Sequence, residues 1–195
     1  MRPNTKVLNE TASQTAGPYV HIGLAPNAAG FDIYDKEAGK DIAGPNAAGE
    51  RIRVEGTVWD GDGEPVKDVL IEVWQPNSSG KFANNEDTEE GFRGWGRIIC
   101  DFDTGAWDFE TVRPGSVGRD APHLSLWIVA RGINIGLHTR MYFPDADATA
   151  TDPLLNDLAP ELRETLVATR LAEDMPTYRF DIHLQGESET VFLDI

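Results

Sequence analysis

Residues 121–143 have the sequence APHLSLWIVARGINIGLHTRMYF, the longest β-prone apolar run in the chain. Apolar and polar side chains alternate along it, which predicts a strand with one buried face. Gly132 interrupts the alternation, as glycine does at a bend, so we predict two strands joined across residues 131–136. The first strand is predicted to bury Leu124, Leu126, Ile128 and Ala130 and to place His123, Ser125, Trp127, Val129 and Arg131 on its opposite face. That opposite face mixes imidazole, hydroxyl, indole and guanidinium groups, and we expect any chemistry of the protein on the polar face of the two strands together.

The rest of the chain after residue 50 alternates strand-like segments with turn signals such as DGDG at 60–63 and DTG at 103–105. One helix is predicted over residues 161–172, because Pro160 suits a first helical turn and apolar residues follow at helical spacing. Many short strands with a single short helix predict an all-β fold, a β-sandwich. The remaining predicted strands are 52–59, 69–74, 97–102, 107–112, 178–184 and 190–195.

Residues 1–50 are predicted to form an extended N-terminal arm, and residues 51–195 the β-sandwich domain. The arm is rich in proline and glycine, and the tetrapeptide NAAG occurs in it twice, which is typical of loops. Its segment 13–24, SQTAGPYVHIGL, holds several apolar side chains, so we expect it to pack over its own domain or over a partner.

Charge and cysteine content restrict the possible partners. The chain has 33 acidic and 17 basic residues, a net charge of −16, which argues against nucleic acid or an anionic membrane surface as partner. An anionic substrate would therefore need a local positive charge, and Arg131 is a candidate because guanidinium binds carboxylate in a bidentate manner. Cys100 is the only cysteine, which excludes an internal disulfide and a cysteine-based metal cage. Without a signal peptide or an apolar run of about 20 residues, a cytoplasmic protein is expected.

The sequence leaves two further hypotheses open, one of which depends on the histidines. None of the four forms an HxH or HExxH pair, the compact spacings typical of zinc or non-haem iron sites. An independent metalloenzyme would need His123, His138 and His183 to converge in the fold. The other alternative is a non-catalytic binding or structural β-sandwich of the transthyretin type.

Five segments are more specific than strand propensity requires: 13–24 (SQTAGPYVHIGL), 68–80 (DVLIEVWQPNSSG), 111–115 (TVRPG), 121–143 and 178–195 (YRFDIHLQGESETVFLDI). Together they resemble the intradiol ring-cleavage dioxygenases, in particular the α chains of protocatechuate 3,4-dioxygenases. The resemblance implies a β-sandwich fold and an (αβ)n hetero-oligomer in which the β chain, not this chain, binds Fe³⁺ through tyrosines and histidines. It also implies cleavage of 3,4-dihydroxybenzoate (protocatechuate) with O₂ to 3-carboxy-cis,cis-muconate, a step of the β-ketoadipate pathway.

The residues at the family's iron-ligand positions differ in this sequence. Iron-binding chains carry a tyrosine in an N-x-x-G-(R/K)-Y turn, where this chain has NSSGKF and therefore Phe82. A second tyrosine belongs to a P-G-x-Y loop, where this chain has PGSV and therefore Val117. The ligand pair H-x-H is replaced by His123 and Ser125. Because Fe³⁺ prefers anionic oxygen ligands, we predict no iron and no catalytic residue in this chain.

The resemblance assigns this chain a substrate-lining role at the active site of the partner β chain. It implies that Arg131 pairs with the benzoate carboxylate inside an otherwise acidic assembly. Glycine and proline in the arm would provide a slim and rigid wall beside a flat ring. The arm residues implied to line this site are Thr15, Ala16, Gly17, Pro18 and Tyr19.

Overall fold

The computed structural model describes residues 11–36, 38–171 and 174–194. Within these ranges the chain forms two β-sheets and three short α-helices. The strands are β1 Arg51–Trp59, β2 Leu70–Trp74, β3 Trp95–Ile99, β4 Ala106–Val112, β5 His123–Val129, β6 Leu137–Tyr142, β7 Thr169–Leu171, β8 Thr177–Arg179 and β9 Ile182–His183. The helices are α1 Pro18–Leu24, α2 Pro153–Asp157 and α3 Pro160–Glu164, with a 3-10 turn at Asp147–Thr151.

The two sheets enclose one hydrophobic core. One sheet has the strand order β3-β2-β5-β6, and the other has the order β4-β1-β8-β7 with β9 paired to β1. Val54 and Phe109 of the second sheet belong to the same buried cluster as Ile71 and Leu126 of the first sheet. Two sheets that share one core form a β-sandwich, which confirms the predicted all-β class.

The central stretch 121–143 forms β5 and β6, which pair as antiparallel neighbours. The predicted core face of β5 is buried throughout, with exposures of 2% or less. The bend falls where predicted, and Ile135 within it is 67% exposed because it lies in the connection and not in a strand. On the opposite face, His123 is also buried, whereas Ser125 and Trp127 are partly exposed.

The predicted helix at 161–172 is wrong beyond residue 164. Helix α3 ends at Glu164, and the chain then pairs with the end of β6, since the Tyr142 amide donates to Leu166 O at 2.8 Å and the Ala168 amide to Tyr142 O at 3.0 Å. These long-range hydrogen bonds and the complete burial of Leu166 outweigh local helix propensity. Ala172 lies outside the described residues. The prediction of only one short helix is also wrong, because α1 and α2 form as well.

The C-terminal strand predictions are correct in part. The segment 178–184 is divided into β8 and β9, and between them the Asp181 carboxylate accepts the Thr57 amide at 2.9 Å in place of a backbone partner. The predicted strand 190–195 is wrong for the residues described, where Leu193 forms only an isolated bridge to His138. Ile195 lies outside the described residues. No helix in the described ranges is both long and apolar enough to cross a membrane.

The described part of the arm contains α1 and a series of turns that contact the four-stranded sheet. Helix α1 begins at Pro18, whose fixed φ suits a first helical position. At its other end, Leu24 O accepts from the Arg97 guanidinium of β3 at 2.9 Å. Further along, Ile42 is buried in the common core. The arm therefore packs on its own domain, while its predicted contact with a partner and the domain boundary at residue 50 stay predictions.

Candidate functional site

The arm and the end of β5 meet through Thr15. The Thr15 hydroxyl oxygen accepts a hydrogen bond from the Gly132 amide at 2.7 Å and lies 3.4 Å from Ala130 O. These two backbone groups flank Arg131, so two segments more than a hundred residues apart in sequence lie side by side. Tyr19, in the first turn of α1, is 84% exposed. We name the surface formed by Thr15, Ala16, Gly17, Pro18, Tyr19 and Arg131 the arm–Arg131 patch.

Arg131 extends from this patch, and Asp68 contacts one side of its guanidinium. Its Nε lies 3.4 Å from Asp68 Oδ2, and 69% of its side chain is exposed. Next to Asp68 is His21, a buried side chain of α1 whose ring contacts the ring of Phe102. Burial lowers the pKa of His21, against the opposing effect of the nearby Asp68. His21 is therefore neutral near pH 7, and Arg131 is the cation that pairs with Asp68.

The loops that carry the degenerate ligand positions Phe82 and Val117 lie against each other. The Gly115 amide donates to Asn77 O at 2.9 Å, and a Cβ added to Gly80 would come within 2.0 Å of Ser116 O. Beyond these loops, Val117 and Asp120 bridge through their backbones and lead into β5.

His123 is the one nitrogen ligand of the family pattern that remains, and it is held inside the protein. Its Nδ1 lies 2.8 Å from Ala121 O, and its ring centroid is 5.4 Å from that of Tyr142. Burial lowers the pKa of His123, and the nearby Arg140 guanidinium acts in the same direction. The imidazole is therefore a neutral, buried side chain with one ring nitrogen engaged by the backbone.

A guanidinium lies beside the second histidine position. Arg140 on β6 is directly opposite Ser125 on β5, and its Nη1 lies 3.2 Å from Asp120 Oδ2 and 3.3 Å from the Tyr142 hydroxyl. The Tyr142 hydroxyl donates to Asp152 Oδ1 at 3.2 Å. Burial raises the pKa of Tyr142 to about 12, so this phenol is protonated at neutral pH and is not an anionic ligand.

These donors do not fit ferric iron. The four family positions supply one imidazole and one hydroxyl, together with a phenyl and an isopropyl group, and a fixed positive charge lies beside them. Across the described residues, no three histidine, cysteine or acidic side chains are arranged to hold a metal ion. The described residues give no support to a three-histidine site, because His183 is on β9 of one sheet while His123 and His138 are on β5 and β6 of the other.

The predicted polar face of β5 forms one wall of an open cavity of about 440 Å³. Trp74 and Trp127 flank Ser125 there, since Ser125 is paired with Trp74 of β2 and Trp127 follows two residues later on the same face. Glu72, also in the lining, is held by Arg97 at 2.6 Å. The cavity is therefore more aromatic than the sequence pattern of one strand indicated.

Sequence reasoning missed Asp68, Asp120, Arg140 and Asp152, which determine the electrostatics of both regions. A signal for two of them existed in the strand register. Once β5 and β6 are aligned, Arg140 falls opposite Ser125. The ladder that pairs Leu70 with Val129, extended by two residues, places Asp68 opposite Arg131.

Comparisons with known proteins agree with this architecture. The profile of a family described as Dioxygenase matches residues 28–186. The chain is 49% identical to the protocatechuate 3,4-dioxygenase alpha chain of Pseudomonas putida, over 97% of this chain and 98% of that one. It is 41% identical to the alpha chain of Burkholderia cepacia over 96% of this chain and 98% of that one. The beta chain of Burkholderia cepacia is 31% identical over 73% of this chain and 67% of that one.

The fold is shared with solved dioxygenases at much lower identity. Hydroxyquinol 1,2-dioxygenase from Pseudomonas putida superposes with a TM-score of 0.61 at 18% identity, covering 90% of this chain and 67% of that chain. At that identity the likeness shows the fold alone, whereas the matches along the sequence extend over nearly the whole chain. The chain therefore belongs to the intradiol dioxygenase family.

Proposed function

We propose that this chain is the α subunit of a protocatechuate 3,4-dioxygenase, active in a hetero-oligomer with a β chain. The assembly cleaves 3,4-dihydroxybenzoate with O₂ to 3-carboxy-cis,cis-muconate, and both oxygen atoms enter the product. The observation that carries this proposal is the 49% identity to a curated alpha chain across almost the full length of both chains. The match to a beta chain is weaker and shorter, at 31% over 73% of this chain.

The alternative of a non-catalytic transthyretin-type module is not favoured. The relatives of this chain are subunits of ring-cleaving enzymes, and the profile of the same family matches residues 28–186. A binding module also gives no reason for an arm held beside an exposed arginine by a specific hydrogen bond from the Gly132 amide to Thr15.

We assign the iron of the active assembly to the β chain. The family is iron-dependent, and a bound ferric ion would activate the catechol for attack by O₂, which is the oxidant. The degenerate positions Phe82, Val117, His123 and Ser125 support this assignment, because a buried neutral imidazole and a hydroxyl cannot offset the charge of Fe³⁺ as tyrosinates do. Arg140, opposite Ser125 in the strand register and paired with Asp120, adds a further cation near these positions.

The contribution of this chain is binding and orientation of the substrate. The exposed arm–Arg131 patch would cover the ring of a protocatechuate molecule seated in the neighbouring subunit, and Arg131 would pair with its carboxylate. Holding the ring at both ends fixes the position of the catechol oxygens, and such positioning lowers the barrier by reducing the entropy still to be lost. Carboxylate binding by a guanidinium is strong because it is charge-assisted and bidentate.

The proposal is tested with the chain alone and with the αβ complex obtained by co-expression with the β chain from the same source. We expect protocatechuate-dependent O₂ uptake by the complex and none by the lone chain. Arg131→Ala in the complex is expected to raise KM for protocatechuate by about tenfold or more. The matched control is Arg179→Ala, which removes an exposed arginine paired with Asp181 on the other sheet. An unchanged KM in Arg131→Ala, or turnover by the lone chain, contradicts the proposal.

A further inference from the structure

We propose that Asp68 is a positioning residue that holds Arg131 in the orientation needed to bind the substrate carboxylate. The inference rests on the proposed function and deepens it, since it names a residue that sets the preference for a carboxylate-bearing catechol. Asp68 lies outside the segments expected to touch substrate, and its role comes from its contact with Arg131 at 3.4 Å.

The strand register brings Asp68 beside Arg131. Strands β2 and β5 pair Leu70 with Val129, and the same register continued by two residues sets Asp68 opposite Arg131. The residue after Asp68 is fixed in the core, because Val69 is fully buried and exchanges contacts with Cys100: its amide lies 3.2 Å from Cys100 Sγ and its carbonyl accepts the Cys100 amide at 3.2 Å. The Asp68 carboxylate is therefore carried by a rigid backbone.

The position of this contact on the guanidinium determines what Arg131 can still bind. Asp68 Oδ2 contacts Nε, on the inner edge of the guanidinium, and the side chain is 69% exposed. No hydrogen bond or ion pair of the described residues engages the two terminal nitrogens, which leaves them available for a bidentate pair with a carboxylate. An arginine side chain loses rotamer entropy when it binds a ligand, and a side chain already contacted at Nε has less of it to lose.

Among the residues that the structure describes, Arg131 is the only cation paired with Asp68. His21 faces Asp68 from α1, but it is buried with Nε2 unpartnered and remains neutral. Lys67 is adjacent in sequence and exposed, and no ion pair joins it to Asp68 among the described contacts. The negative charge of Asp68 is therefore directed at Arg131.

Two effects of Asp68 oppose each other, and the sign of the change separates them. Asp68 orders Arg131, which favours substrate binding, but its charge also repels a substrate carboxylate. Removal of the carboxylate in Asp68→Ala raises KM if ordering dominates and lowers KM if repulsion dominates. We infer that ordering dominates, because Arg131 lies between the two carboxylates and the repulsion acts across solvent-exposed space.

The experiment uses the αβ complex and measures KM and kcat for protocatechuate and the binding constant of catechol, the same ring without the carboxylate. For Asp68→Ala we expect KM for protocatechuate to rise about fivefold, with kcat and catechol binding within about twofold of the wild type. Asp68→Asn keeps an oxygen acceptor at the same place and is expected to recover part of the loss; it also serves if the alanine variant fails to assemble. The control is Asp108→Ala, which removes the partner of Arg53 in an ion pair on the other sheet.

A double-mutant cycle distinguishes positioning from general damage. In the Arg131→Ala background, Asp68→Ala is expected to have no further effect on KM, because the group that it positions is gone. The inference is overturned if Asp68→Ala raises KM equally with and without Arg131, or if it weakens catechol binding as much as protocatechuate binding. A lower KM in Asp68→Ala or Asp68→Asn would also overturn it. If Arg131→Ala itself leaves KM unchanged, the substrate contact of the proposed function is what fails; if only Arg131→Ala raises KM, the role of Asp68 alone is wrong.

Discussion

The hydroxyl oxygen of Thr15 accepts a hydrogen bond from the Gly132 amide at 2.7 Å, and this contact ties the arm to the turn that carries Arg131. The arm has little else to fix its first described residues, which are exposed from 11 to 15. This hydrogen bond, together with the longer one from the Thr15 hydroxyl to Ala130 O at 3.4 Å, therefore positions the start of the arm beside Arg131.

Thr15→Val removes this hydrogen bond while keeping the shape of the side chain. A net hydrogen bond contributes about 1 kcal/mol, so we expect kcat/KM of the αβ complex for protocatechuate to fall about fivefold. Thr149→Val is the matched control, since the Thr149 hydroxyl donates to Phe143 O at 3.0 Å far from the patch. Equal losses in the two variants would show that the arm contact has no special role.

Restoring the family's ligand residues tests whether Arg140 opposes metal binding. The triple variant Phe82→Tyr, Val117→Tyr and Ser125→His recreates the family's donor set, but Arg140 remains opposite position 125. We expect Arg140→Gln added to this triple variant to increase the iron retained per chain about tenfold or more, because like charges in a partly buried site repel strongly. Metal analysis and tyrosinate-to-iron absorption measure the difference, and equal iron content with and without Arg140 would contradict the expectation.

The lowered pKa of His123 predicts a loss of stability in mild acid. Its ordinary pKa is 6.5, and burial lowers it in the folded protein. The unfolded chain then binds more protons below pH 6.5, so the free energy of unfolding is greatest above that pH and falls as the pH drops toward the folded-state pKa. The slope for one such group approaches about 1.4 kcal/mol per pH unit.

His123→Asn removes this titration. We expect the substitution to destabilise the chain more at pH 8 than at pH 5.5, as measured by denaturant unfolding, because in acid the wild-type imidazole destabilises the fold. A destabilisation that is the same at both pH values would show that His123 does not titrate differently in the two states.

The sequence allowed the sheet containing β5 and β6 to be predicted because its signals are local. Alternation in residues 121–130 determines which side chains face the core, and Gly132 marks the bend. The helix at 161–172 was predicted wrongly because the signals that decide this segment are not local. Leu166 and Ala168 form hydrogen bonds with Tyr142, which is distant from them in sequence. Local propensity contains no information about such a partner.

For the candidate site, the sequence alone determined the family resemblance, the residues Phe82, Val117, His123 and Ser125 at the ligand positions, and the candidates Thr15 to Tyr19 and Arg131. These follow from residue types at fixed spacing, which a chain displays before it folds. Only the tertiary structure decided that Thr15 lies against Gly132, that Asp68 lies beside Arg131, and that Arg140 faces Ser125. Those pairs depend on strand register and on the path of the arm, and both are fixed by the burial of a core to which distant segments contribute together.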